Sequence, residues 1–167
     1  MRRVPYLGAE KESLVVALDR HRDVVVWKLA GLDEAAAREP RTPSGTTLLG
    51  LVKHLAAVEF GWFAETFGRP GELPPFDPRD PDADFRLGPD DTVATVLAFY
   101  ARARESSDDV VASHALDDTG TDFRGPVVSL RWVLIHMVEE TARHAGHLDI
   151  LRELADGAVG DHPRTDA

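Results

Sequence analysis

The 167-residue chain contains no cysteine. That absence excludes a disulfide framework, a thiolate metal ligand and a cysteine nucleophile. Basic charge is also scarce, with 19 Lys and Arg against 29 Asp and Glu, for a net charge of −10. Such a surface repels phosphate backbones and anionic lipid, so neither nucleic acid nor a membrane surface is an expected partner. No apolar run approaches the roughly 20 residues needed to cross a bilayer. The opening "MRRVPYLGAEKE" has two arginines with no apolar segment behind them, which is not the pattern of a secretory signal. A cytoplasmic protein is the expectation. Internal repeats and convincing strand pairs are missing too.

Helical periodicity is present four times. Leu14, Leu18, Val25, Leu29 and Leu32 mark a first helix from about Ala9 to Leu32, opened by acidic residues. A second runs from a threonine cap near Thr46 to about Phe67, stopped by Gly68 and Pro70. The third spans about Asp90 to His114, with Val93, Val96, Leu97, Tyr100 and Val110 on its buried side, and the fourth about Ser129 to Ala155. Between the second and third lies "GRPGELPPFDPRDPDADFRLG", from Gly68 to Gly88, all of it loop chemistry. Extended, it reaches about 70 Å, twice the roughly 33 Å of a helix as long as the second. It can carry the chain back along the whole molecule and leave helices two and three parallel. The expected fold is all-α, a four-helix bundle with one long crossover. One domain over 1–157 is expected, with 158–167 as a mobile tail.

Titratable groups concentrate in "HMVEETARHAGHLD", residues 136 to 149, which holds three histidines and two glutamates. With His136 at zero and about 100° per residue, the apolar face set by Leu130, Val133, Met137, Leu148 and Leu151 centres at about 100°. Glu140 then falls at about 40°, His144 at about 80° and His147 at about 20°, whereas Glu139 and Arg143 point away. A buried carboxylate is costly unless paired, and a Glu four residues before a His on one inward face is a metal-site pattern. A third ligand has to come from another helix. His54, between Leu51 and Val58 on the apolar face of helix two, supplies one. His21 and His114 lack a second ligand type at the right spacing.

The same residues have other readings. His54 can be a hydrogen-bonded core histidine, and Glu140 can pair with His144, with Arg143 or with an arginine of helix one. His136 and His147 read as rim groups, with His147 a substitute ligand. Glu59 reads as a solvated or rim residue, and Trp27, Trp62 and Trp132 as core. Zincin spacings, a phosphate loop with its lysine, and a G-x-S-x-G elbow are all absent. Two imidazoles and a carboxylate suit zinc first among divalent ions, with nickel, manganese or iron as alternatives.

The stretches "LLGLVKHLAAVEFGWF" (48 to 63) and "WVLIHMVEETARHAGHLDILRELADGAVGD" (132 to 161) resemble the DinB/YfiT-like metalloenzymes. The actinobacterial branch of mycothiol S-transferases, related to a mycothiol-dependent maleylpyruvate isomerase, is the nearest in pattern. The resemblance implies a four-helix bundle with a crossover after helix two, and a metal held by His54, Glu140 and His144. Many members have His where this chain has Glu140; Glu-x-x-x-His is the variant of the isomerase relatives. It further implies mycothiol as thiol cosubstrate, a small electrophile as its target, and His147 or His136 as proton relay. A homodimer is compatible with this reading. A thiol-dependent isomerase, a metal hydrolase and a non-catalytic binding bundle are the rival functions.

Overall fold

The four periodic segments are helical in the computed structural model, which describes residues 3–72 and 79–162. Helix α1 (Glu10–Leu29) starts with Glu10 and Glu12 in its first turn, where the partial positive charge of the free N–H groups favours carboxylates. Its β-prone run Val24 to Trp27 stays helical. A short helix, α2 (Glu34–Arg38), was not expected from the sequence. Five residues are too few to set up a periodicity, but Asp33 caps them by accepting from the Ala36 N–H at 2.8 Å.

Helix α3 (Leu48–Glu59) begins where Thr47 Oγ1 accepts from the Gly50 N–H at 2.9 Å. The expected single helix to Phe67 changes pitch on the way, because Phe60–Glu65 forms a wider π-type turn. Helix α4 (Val93–Ser113) opens with Thr92 and Thr95 capping each other's backbone N–H. Helix α5 (Leu130–Asp156) runs from the Ser129 cap to Gly157, whose φ of +78° lets the chain leave the helix.

The expectation of no strand pair needs correcting. Strands β1 (Thr119–Thr121) and β2 (Val127–Ser129) form a small antiparallel hairpin between α4 and α5, too short to show an alternation. It docks on the end of the π-type turn, where Thr121 N–H donates to Thr66 O at 3.0 Å. A Cβ on Gly120 would lie 2.2 Å from that same oxygen, so only glycine permits the approach.

Side-chain contacts give the helix directions. Lys53 meets Asp91 near the starts of α3 and α4, and Glu59 meets Ser107 further along both, so these helices are parallel, as the long crossover requires. Glu10 pairs with Arg131 and Lys28 with Asp149, which makes α1 and α5 parallel to each other. Arg104 on Asp23 and Lys11 on His114 set α1 antiparallel to α4. The result is the expected bundle, with its core built on Val25, Leu29, Leu49, Leu55, Tyr100 and Leu148. No helix among the described residues is long and apolar enough to cross a membrane.

The core also holds charge. Arg22 and Glu59 have side chains only 1% exposed and pair in a two-pronged contact, Nε to Oε1 at 2.7 Å and Nη2 to Oε2 at 2.6 Å. Arg22 Nη1 further donates to Asp19 and to Asp108 from α4. Burial works against the guanidinium charge, but Glu59 outweighs it and raises the Arg22 pKa. Glu59 is therefore not the solvated residue its sequence position suggests, since α1 supplies a counter-charge opposite it. The three tryptophans are not core residues either: Trp27 and Trp62 are half-buried and Trp132 is 45% exposed. Residues 158–162 lie back along α1, with Lys28 Nζ donating to Gly160 O and Arg20 pairing with Asp161. The last five positions of the expected tail, 163–167, fall outside the described residues.

The crossover returns over the start of α3, where a Cβ on Gly50 would lie 2.4 Å from Phe85 O. Two outcomes are expected in urea unfolding. Glu59→Ala leaves Arg22 charged and buried and costs about 3–5 kcal/mol, much of it recovered in an Arg22→Met, Glu59→Leu double variant. A loss below about 1 kcal/mol would show that the pair does not hold the bundle. Gly50→Ala forces the loop off α3 and costs about 1–3 kcal/mol; an unchanged midpoint would show that Phe85 yields freely.

Candidate metal centre

The second turn of α3 and the third and fourth turns of α5 face one another, because Leu51, Leu55 and Val52 on one helix and Met137, Thr141 and Leu148 on the other are buried between them. His54 and Glu140 sit at the edge of that seam and His144 just inside it. His54 Nε2 lies 3.3 Å from Glu140 Oε1, and His144 Nε2 lies 3.0 Å from the same oxygen. One ligand atom from each residue falls within 4.8 Å of the other two. The inward trio read from the helical wheel thus converges on one point. Arg143 is exposed, and of the arginines of α1, Arg22 is committed to Glu59 and Arg20 to Asp161, so Glu140 has none of them as its partner.

Electrostatics sharpen the picture. Hydrogen bonds from His144 and then His54 hold the Glu140 carboxyl well below the ordinary carboxylate range. Burial disfavours a charged His54 ring, yet the Asp84 and Glu140 hydrogen bonds together raise its pKa. Behind the ring, Asp84 Oδ2 sits 2.7 Å from Nδ1, so Nδ1 carries a hydrogen. In a neutral ring Nε2 is then a lone pair aimed at a carboxylate oxygen, an arrangement that calls for a positive charge between them. A divalent ion answers that need, and two imidazoles with one carboxylate match its donor preferences.

Asp84 and Phe85 were not anticipated from the sequence. Both belong to a one-turn 3-10 helix, Ala83–Phe85, in the crossover. Phe85 stacks on the His54 ring at 3.8 Å between centroids, tilted by 14°. Lys53 ties the same loop to α3 by donating to Arg86 O and Asp91 Oδ2, each at 2.8 Å. In "DPDADFRLG" each of the three aspartates offers the same carboxylate, and only the folded loop selects Asp84.

The two further histidines separate. His147 lies beside the trio, its Nδ1 3.4 Å from His144 Nδ1, and burial followed by the charges of His144 and Arg143 lowers its pKa. His136 lies one turn before Glu140 among aromatic rings, stacked on Trp132 at 5.1 Å and edge-on to Trp62 at 4.5 Å.

The Mycothiol-S-transferase family profile matches residues 13–157, from the first turn of α1 to just past the end of α5. No curated protein matches the chain. The matched span contains the three converging residues, the crossover that orients His54 and all of the bundle but the first three residues of α1. With the profile covering most of its length, the chain belongs to the mycothiol S-transferase family, as its likeness to the DinB/YfiT-like proteins implies.

Proposed function

We propose that this protein is a metal-dependent S-transferase that joins the sulfur of mycothiol to a small electrophile, with zinc as the first candidate ion. One observation carries the reading: His54 Nε2 and His144 Nε2 both approach Glu140 Oε1, at 3.3 and 3.0 Å, with Asp84 fixing the His54 ring from behind. A divalent ion held there would supply a positive charge that favours the thiolate form of a thiol bound next to it.

The chain's own residues do the rest. Glu140 contributes the one negative charge of the trio, so a site of net positive charge remains to hold a thiolate. Asp84 and Phe85 keep the His54 ring in one orientation, which spares reorganisation when ligands change. His147 stands at the solvent side, exposed, with Nδ1 next to Nδ1 of His144. Its lowered pKa leaves the ring neutral at pH 7. As the thiol enters, His147 takes its proton and passes it to water. The sulfur then forms a bond to the electrophilic carbon while the leaving group departs with its electron pair. With no cysteine in the chain, the cosubstrate is the source of sulfur.

Protein purified without a nickel column should carry one divalent ion per chain by elemental analysis. His54→Ala should abolish that stoichiometry, and Asp84→Asn should keep the site but weaken it about 10- to 100-fold. Full metal retention by His54→Ala would remove the trio from consideration. Turnover of a chlorodinitroarene should require both mycothiol and metal, vanish on chelation, and proceed poorly with glutathione. Sustained turnover with metal and no thiol would favour a hydrolase, and a metal-loaded protein inert with every thiol would favour a binding bundle.

A further inference from the structure

Phe85, stacked on the His54 ring, also lines a cleft of about 660 Å³ between the loop before α3 and the returning crossover. Its walls include Arg38, Ser44, Thr46, Asp82, Phe85 and Arg86. We propose that this cleft binds the polyhydroxylated end of the thiol cosubstrate, the glucosamine-inositol unit to which the cysteinyl thiol of mycothiol is attached. The proposal rests on the transferase reading for the identity of the thiol, and on the cleft itself for the place.

Its volume lies within the roughly 300–1,000 Å³ of small-molecule sites. The chemistry of its walls is mixed: two guanidinium groups, one carboxylate and neutral hydroxyls. A phosphate or a dicarboxylate would meet Asp82 as a like charge. A sugar hydroxyl, which both donates and accepts, can use all three kinds of group. The hydroxyls form a short chain, Thr42 Oγ1 to Ser44 Oγ at 2.9 Å and Ser44 Oγ to Thr46 Oγ1 at 3.2 Å, which leaves further lone pairs open to a ligand. Arg38 is held in place by donating to the carbonyls of Asp91 and Gly88, neither of which neutralises its charge.

Position supplies the second argument. Phe85 is common to both places, stacked on the His54 ring at 3.8 Å and forming part of the cleft wall. The N-terminal cap Thr47, also on the wall, precedes His54 by seven residues, about 10 Å along α3. A cysteinyl arm of five bonds of about 1.5 Å carries the first sugar about 6 Å from its sulfur, and the second ring lies further out. With the sulfur at the trio, rings at that reach can lie over Phe85, the residue that the cleft shares with the site. A thiol lacking the two rings would reach the trio and leave the cleft empty.

The test fills the cleft from an exposed loop position, using Ser44→Trp, with Arg86→Ser as a second variant that removes a guanidinium without adding bulk. Circular dichroism melting and metal content should match the parent in both. For mycothiol, Ser44→Trp should raise KM on the order of tenfold or more, with kcat at saturating thiol nearly unchanged. For N-acetylcysteine, which has the thiol and no sugar, KM should not move. Calorimetry with the thiol-free glucosaminyl-inositol should detect binding to the parent and none to Ser44→Trp, with or without metal. An unchanged mycothiol KM in both variants overturns the cleft assignment and leaves the transferase reading standing. Fragment binding that Ser44→Trp abolishes, in a protein that turns over no electrophile, supports the cleft and overturns the transferase reading. Absence of fragment binding to the parent overturns the cleft.

Discussion

The paired contact between Arg22 and Glu59 sets the rotation of α3, and the candidate metal centre depends on that rotation. A guanidinium offers two parallel N–H donors in one plane, so both carboxylate oxygens must lie in that plane, and here they do at 2.7 and 2.6 Å. Glu59 is thereby turned toward α1. His54 stands five residues earlier, about 140° around the helix, which directs it to the opposite side and toward α5. A one-residue slip of α3 would strand two buried charges and carry His54 away from Glu140 together. Ser107 of α4 approaches the Glu59 backbone, and Asp108 meets Arg22, so the same contact registers three helices.

The same dependence explains which residues the sequence reveals. Helix positions, the inward face of α5 and the placement of His54 follow from a period of about 3.6 residues, because each is a property of one helix taken alone. Glu140 and His144 fall on the apolar side of their own wheel whatever α3 does. Glu59 also lies near an apolar face, but its burial depends on Arg22 arriving from α1, and no periodicity within α3 encodes that. Asp84 and Phe85 lie in loop chemistry, where nothing distinguishes the carboxylate that orients a ring from its neighbours at Asp80 and Asp82. The β-hairpin and α2 are too short to carry a pattern. Local order was legible, then, while contacts made by one segment on another were not.

Orientation is where the crossover acts on chemistry. Each histidine of the trio turns Nε2 inward and has a partner at Nδ1, Asp84 for His54 and His147 for His144. The partners differ in kind. Asp84 is a carboxylate at 2.7 Å that fixes a tautomer firmly, whereas His147 is a neutral ring at 3.4 Å that can give up the contact. Asp84 therefore holds the His54 ring more firmly than His147 holds that of His144. The fold achieves this by wrapping the crossover over His54 while leaving His147 exposed on α5. Gly50 is part of the same arrangement, since any side chain there would lift Phe85 and with it the Asp84 contact.

His136, Glu140 and His144 follow one another at intervals of four on α5, and by spacing alone His136 has as strong a claim to a ligand role as His144. What separates them is the helix opposite. Because α3 runs antiparallel to α5, His54 stands across from Glu140 and His144, whereas eight residues later Trp62 stands across from Trp132 and His136. On an uninterrupted α-helix Trp62 would lie about 80° around from His54. The π-type turn at Phe60–Glu65 advances less per residue and turns Trp62 back toward the seam. The change of pitch thus gives the lower part of the seam an aromatic wall and the upper part a polar site. The hairpin anchored on Thr66 through Gly120 holds the turn in that shape. A histidine facing nitrogen and oxygen joins the candidate metal centre, and one facing indole rings becomes part of a wall, although α5 presents both on the same stripe.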